Sequence, residues 1–315
     1  MTGRLVGGGF DLLLCLLVLG VALGAVLGRQ LFGSVVFFIV YGLLLTLAWT
    51  RLGAIDVALA EAAIGAGLTG VLLVGAATRL RRRGVPEAPP PLNRARSLQG
   101  GLCALTAALV GGAVGHLDRE SPGLAGAVDR NLEASGVGNP VTAVLLNFRA
   151  YDTLLESVVL VVALVGVWSV AEDRHAGGRP GLRQHARPDG VLATYGRFLP
   201  PLGLLVGVYV VWAGTDHPGG AFQGGTIMAA LWLLLVMAGH VDAPPVTARP
   251  LRLVAVAGPG LFLAVAAAGA WGGGFLVLPP DRAKGLIQLI EAGLALSIAT
   301  LLGCLVMGPP QRSGR

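Results

Sequence analysis

The 315-residue sequence is 54% hydrophobic and only 13% charged, with 23 basic against 17 acidic side chains and a formal net charge of +6. That is far more apolar than a globular chain, and it predicts an all-α polytopic membrane protein. The aromatic share is 6%, with no interleaving of basic and aromatic residues, so nucleic acid is not an expected partner; the arginines stand between apolar runs and read as topology signals.

Residues 10–28 form the first apolar run, too long for a secretion signal and followed directly by a second span over 31–50. Gly20, Gly24 and Gly28 repeat every four residues in it, a stripe that lets a neighbouring helix approach. The third span runs to about Thr78 and is closed by Arg79, Arg81, Arg82 and Arg83. It carries LGAIDVALAEAAIGAG (52–67), which places Asp56 and Glu61 in an otherwise apolar helix. An ionised carboxylate in a bilayer costs roughly 2.5–3.5 kcal/mol, so the pair points to an ion or proton path, or to a buried partner. Five residues apart, the two acids stand about 140° from each other around a helix and face different neighbours. For Asp56 a second reading stands, a helix cap near the surface; Glu61 lies a turn and a half deeper.

A proline-rich connector, PEAPPPLN (86–93), precedes a fourth span over 98–116. A polar loop with Asp118, Arg119, Glu120, Asp129, Arg130 and Glu133 then leads to GNPVTAVLLNFRAYDTLLE and a fifth span over 151–171. Arg149, Asp152 and Glu156, at i, i+3 and i+7, are expected on one helical face, either as a neutralised stripe or as ion-handling groups. Residues 172–193, with Arg174, Arg179, Arg183 and Arg187, are the most polar segment and read as a linker between two modules.

The sixth span (195–213) turns through TDHPGGAFQGG into a seventh that reaches about His240. Pro218, Gly219, Gly220, Phe222, Gln223, Gly224 and Gly225 read as a helix-packing turn beside one amide and no buried charge; a phosphate loop would need a strand before it. The eighth span covers 251–271 and the ninth 283–307, where Lys284, Gln288 and Glu291 fall at i, i+4 and i+7. Lys284 is the chain's one lysine and sits at a helix end, so no lysine relay through the bilayer can be built. Cys15, Cys103 and Cys304 and the five histidines are scattered, so neither a metal site, a disulfide framework nor a cofactor is expected.

Nine spans put the termini on opposite sides, and 16 basic residues fall on the side of Arg79 and Arg187 against 7 on the side of Arg4. The positive-inside rule then places the amino terminus outside and the carboxy terminus in the cytoplasm. By the same parity Glu61, Glu156 and Glu291 lie roughly 10–12 Å below one surface. They are expected either to border a hydrated outer half-channel or to be neutralised locally, Glu156 by Arg149 and Glu291 by Lys284.

The runs LGAIDVALAEAAIGAGL, GNPVTAVLLNFRAYDTLLES and TDHPGGAFQGGTIMAAL, in that order, resemble two pieces of Mrp-type multisubunit cation/proton antiporters: the carboxy-terminal part of the MrpA component, followed by the MrpB component. Against the family patterns GAPDVALTEAAVGAGL, FRGFDTLGE and PGGGFQGG, Asp56, Glu61, Phe148, Arg149, Asp152, Thr153 and Glu156 are kept. Ile55, Ala60, Ala150, Tyr151, Leu155 and Ala221 depart. Membrane-bound hydrogenases carry similar pieces as separate small proteins. The resemblance implies five spans and then four, with an MbhD-like module over 1–83, an MbhE-like module over 84–171, a linker over 172–193 and an MnhB/MrpB-like module over 194–315. It also implies an accessory, non-enzymatic subunit in the inner membrane of a prokaryote. Such a protein would line part of a route for Na+ and H+, hold partner subunits and contact membrane lipid, with Asp56, Glu61, Arg149, Asp152, Glu156, Lys284 and Glu291 as path residues. A membrane component of a hydrogenase or complex I-like assembly, or a purely structural linker, are the alternatives. No inverted repeat joins the halves, which argues against a self-sufficient carrier.

Overall fold

The computed structural model describes residues 2–84, 94–117, 123–181, 186–271 and 273–312. The proline-rich connector, Asp118, Arg119, Glu120 and Arg183 lie outside the described residues. Eight described helices are long and apolar enough to cross a membrane; the seventh expected span is shorter, at 17 residues. The architecture is all-α and polytopic.

Helices α1 (Thr2–Leu27) and α2 (Leu31–Arg51) form a hairpin, tied at its open end by Arg51 and Asp11 at 2.7 Å. Of the expected glycine stripe, Gly24 and Gly28 meet Phe37 and Ser34, while nothing approaches Gly20. The third span is not one regular α-helix. It consists of α3 (Ile55–Ala60), a π-helical stretch over Glu61–Leu68 and α4 (Thr69–Arg82). The Thr69 hydroxyl donates to the Ile64 carbonyl, five residues back, at 2.8 Å, which suits the wider turn. The stretch EAAIGAGL offers little side-chain bulk to resist it, and α2 follows closely: a Cβ on Gly42 would lie 3.0 Å from the Ala66 Cβ.

Helix α5 (Arg94–Gly115) stands apart, with none of its apolar window buried. Short helices α6 (Ala125–Asn131) and α7 (Pro140–Ala143) follow, then a second π-helical turn (Val144–Phe148) and α8 (Ala150–Ser169). The Asn139 side chain accepts the Val141 amide at 2.9 Å and Pro140 takes the first helical position, so Asn-Pro starts α7.

The remaining helices are α9 (Val191–Ala213), α10 (Ala221–Met237), α11 (Arg249–Gly269) and α12 (Pro280–Met307). The last of these is the axis of the bundle, packed on α8, α9, α10 and α11. Its Ile287, Ile290, Leu294 and Ile298 recur at helical spacing and are fully enclosed with Phe262. In lipid, helices gain by close approach more than by leaving water. Gly225 and Gly258 supply that approach: a Cβ on Gly225 would lie 2.9 Å from the Ala295 carbonyl, and one on Gly258 2.8 Å from the Leu294 Cα. Ser297 donates across to the Ala255 carbonyl at 2.5 Å.

Packing does not follow the polar 172–193 segment, because α8 lies against α11 and α12. That segment is also strapped to the carboxy terminus, through antiparallel pairing of β1 (Arg179–Pro180) with β2 (Pro310–Arg312). Arg312 fixes the strap with a fork to Asp242, at 2.7 and 3.1 Å, and a bond to the Gly181 carbonyl. Its guanidinium holds the Asp242 carboxyl below the usual carboxylate range.

A candidate ion site at the amino terminus of α10

Between α9 and α10 the chain reverses against the bundle, with Gly214, Thr215, Gly219 and Gly220 buried and Asp216, His217 and Pro218 exposed. Gly219 and Gly220 take φ values of +153° and +126°, a region that side chains resist. The reversal aims backbone donors at two carboxylates from distant parts of the chain. The Gly219 amide donates to Asp56 Oδ1 at 2.9 Å, and the Ala221 amide hydrogen-bonds Glu291. A helix amino terminus carries about half a positive charge, so this is a favourable place for anions.

Asp56 belongs to the first turn of α3 yet does not cap it; only 9% exposed, it reaches across to the turn instead. Asn139, 4% exposed, brings its amide nitrogen to 3.4 Å from Asp56 Oδ1 and donates to the Gly214 and His217 carbonyls at 3.3 and 3.0 Å. Gln223 donates to the Asp56 carbonyl at 3.3 Å, and Thr142 to that of Gly214 at 2.6 Å. Glu291 is 3% exposed, and its Oε2 is buried without a hydrogen-bond partner among the described residues. A Cβ on Gly220 would lie 2.9 Å from Glu291 Oε1, so a residue with a side chain there would press on the carboxylate.

A cavity of about 320 Å³ opens beside these groups, lined by Asp56, Glu156 and Glu291 together with the Gly219–Gln223 turn. Ala60 and Ile64 from the third span and Leu145 and Leu146 from the second π-helical turn also line it. Of the three glutamates expected at one depth, Glu156 and Glu291 therefore share a cavity. Glu61 is not on it; its carboxylate folds along its own helix toward Gly65. The turn does pack helices, since Gly224 and Gly225 meet Val211 and Ile298, but the expectation of no buried charge beside it fails. The missing information was tertiary, because Asp56 and Glu291 reach the turn from far away in the chain.

The local neutralisation that stood as one of the two alternatives does not occur between these pairs. Arg149 has φ −129° and precedes α8, so it leaves the helical face of Glu156 and pairs with the exposed Asp152 at 2.6 Å. Lys284 pairs with Asp216 at 2.6 Å, not with Glu291, and its ammonium holds the Asp216 carboxyl below the usual range. Lys284, Gln288 and Glu291 do share a face, and it lies along the turn: Gln288 approaches Thr215 Oγ1 at 3.4 Å, between the ion pair and the buried acid. Asn139, Thr142, Thr215 and Asp216 had no role in the sequence reading. The Asn-Pro start of α7 was a visible signal for Asn139; nothing in the sequence pointed to the others.

Fold and site thus define a polytopic membrane protein with buried acids where two helical groups meet. Residues 16–82 match the family model described as MbhD, one of the subunits of MBH, and residues 191–310 match a domain related to the MnhB subunit of Na+/H+ antiporters. The chain carries an MbhD-like part and an MnhB-like part. One chain in the structure of the Mrp complex from Dietzia sp. DQ12-45-1b superposes with a TM-score of 0.74 at 26% identity, covering 96% of this chain and 35% of that one. Another, from the archaeal membrane-bound sulfane sulfur reductase, shares the fold with a TM-score of 0.54 at 24% identity, over 66% of this chain and 97% of its own. An uncharacterized protein of Methanocaldococcus jannaschii is 34% identical over 123 residues, 34% of this chain and 47% of the relative. The chain therefore spans about half the length of that relative and about a third of the Mrp chain.

Proposed function

We propose that this chain is an accessory membrane subunit of a multisubunit monovalent cation/proton antiporter, lining part of the ion route and holding partner subunits. The observation that carries the reading is the cavity between the two matched parts. Asp56 comes from the MbhD-like part, Glu291 and the turn come from the MnhB-like part, and Glu156 lies between them in sequence. Buried acids at membrane depth are costly unless they serve or are paired, and a non-helical turn there is tolerated where it is enclosed by protein or lines a hydrated space. We propose a prokaryotic inner membrane, from the likeness to Mrp-type components, with the carboxy terminus in the cytoplasm, from the arginine distribution.

The test is Na+/H+ exchange in vesicles holding the assembled complex. Asp56→Asn and Glu291→Gln should each abolish or strongly reduce exchange with recovery of the complex unchanged. Full exchange by both variants would leave only a linker role. The MbhD match favours a second reading, a membrane component of a hydrogenase or complex I-like assembly; exchange by the purified complex without any redox substrate decides for antiport.

A further inference from the structure

The two buried carboxylates at the α10 amino terminus are not equivalent. Asp56 Oδ1 takes the Gly219 amide and lies beside the Asn139 amide, at the amino terminus of α10. Glu291 is more deeply buried, and one of its oxygens has no hydrogen-bond partner among the described residues while lining the same cavity. A buried carboxylate oxygen left without a donor is strongly disfavoured unless a proton or a cation meets it. We propose that Glu291 is an exchangeable site that holds either a proton or one dehydrated monovalent cation, with Asp56, held by the turn, as its neighbour on the cavity.

The surrounding donors fit such an ion. Within reach of Gly220 stand Glu291 Oε1 and Gln223 Oε1, and Asp56 lines the same space, so the available ligands are hard oxygens without sulfur or imidazole. Charge sets the valence. Deprotonated Glu291 supplies one negative charge, enough for one monovalent ion, while the carboxylate of Asp56 is engaged by the Gly219 and Asn139 amides. Exchange is balanced as well: the arriving cation replaces the carboxyl proton, which leaves as H+. Glu156 is the other charged group that lines this space, while the Asp216–Lys284 pair and the His217 side chain belong to the turn and its flank and are not on the cavity wall. Glu156 is not equivalent to Glu291, because it is exposed on the chain whereas Glu291 is enclosed.

The inference rests on the reading of the cavity as part of an ion route, but binding and transport can fail separately. In membranes holding the assembled complex, dicyclohexylcarbodiimide reacts with protonated buried carboxyls, and the modified residue is read by mass spectrometry. Glu291 should be modified at mildly acidic pH and protected by NaCl, KCl or LiCl but not by choline chloride at equal ionic strength. Asp56→Asn should keep the modification and lose the protection. Modification of Glu291 indifferent to the cation, or no modification of it at acidic pH, would overturn the proposal without need of any variant. Cation protection at Glu291 together with unchanged exchange by Glu291→Gln would instead keep the site and remove its place in the route.

Discussion

Helices α12 and α5 are both apolar enough to cross a bilayer, yet 56% of the apolar window of α12 is buried and 0% of that of α5. Hydropathy selects lipid over water but does not choose a neighbour. That choice is made where small residues let backbones meet: Gly225 and Gly258 press on α12, whereas a Cβ added at Gly100, Gly101, Gly111, Gly112 or Gly115 of α5 would meet nothing within 4 Å beyond its own helix among the described residues. A helix so placed is what one expects of a protein whose remaining neighbours belong to other chains.

The largest break of this contrast comes from paired substitutions. Gly225→Leu would drive a side chain into the Ala295 carbonyl and Ile298, and overpacking of this kind costs about 1–3 kcal/mol or more. The detergent-solubilised chain should melt well below the parent and be recovered poorly from membranes. Gly111→Leu, facing open space, should leave the melting of the isolated chain unchanged within about 0.5 kcal/mol, since surface changes seldom exceed that. If the complex, but not the chain, is lost with Gly111→Leu, a partner helix packs on α5.

A smaller effect is expected at the terminal strap. Arg312 is largely buried and forks onto Asp242, so Arg312→Ala should destabilise the carboxy-terminal bundle by roughly 1–3 kcal/mol. Limited proteolysis within 172–190 would report the loosened strap, and an unchanged cleavage pattern would count against it.

The smallest is the pH response of the Asp216–Lys284 pair. The Asp216 carboxyl is held below its ordinary range chiefly by the Lys284 hydrogen bond, so its folded value lies under the unfolded one of about 3.9. Its contribution is therefore fully present above that unfolded value and is lost as pH falls through the lower folded one. With side chains 50% and 43% exposed, solvent screening limits it to at most about 0.5 kcal/mol. Melting followed from about pH 7 to about pH 3 should show a loss in the parent that exceeds the loss in Asp216→Asn by this small amount.

Asp56 and Glu61 show how far the sequence reaches. Both were conspicuous as acids in an apolar run, and their divergence around the helix was legible from spacing alone. Which of them meets a partner was not, because the π-helical stretch begins at Glu61 and the partners of Asp56, Gly219 and Asn139, come from elsewhere in the chain. The shared face of Lys284, Gln288 and Glu291 could likewise be read from periodicity, while the single face expected of Arg149, Asp152 and Glu156 failed where the helix started one residue later.

By itself, then, the sequence determined what water and lipid impose: apolar runs long enough to cross, arginines between them, and a few acids whose presence in a bilayer needs a reason. Tertiary structure alone decided which acids share a space, because that depends on helices far separated in the chain, joined by glycine contacts and by a turn whose amides find Asp56 and Glu291 together. Periodicity is a local property of one helix; the pairing of charges across helices is set by packing, and no local pattern records it.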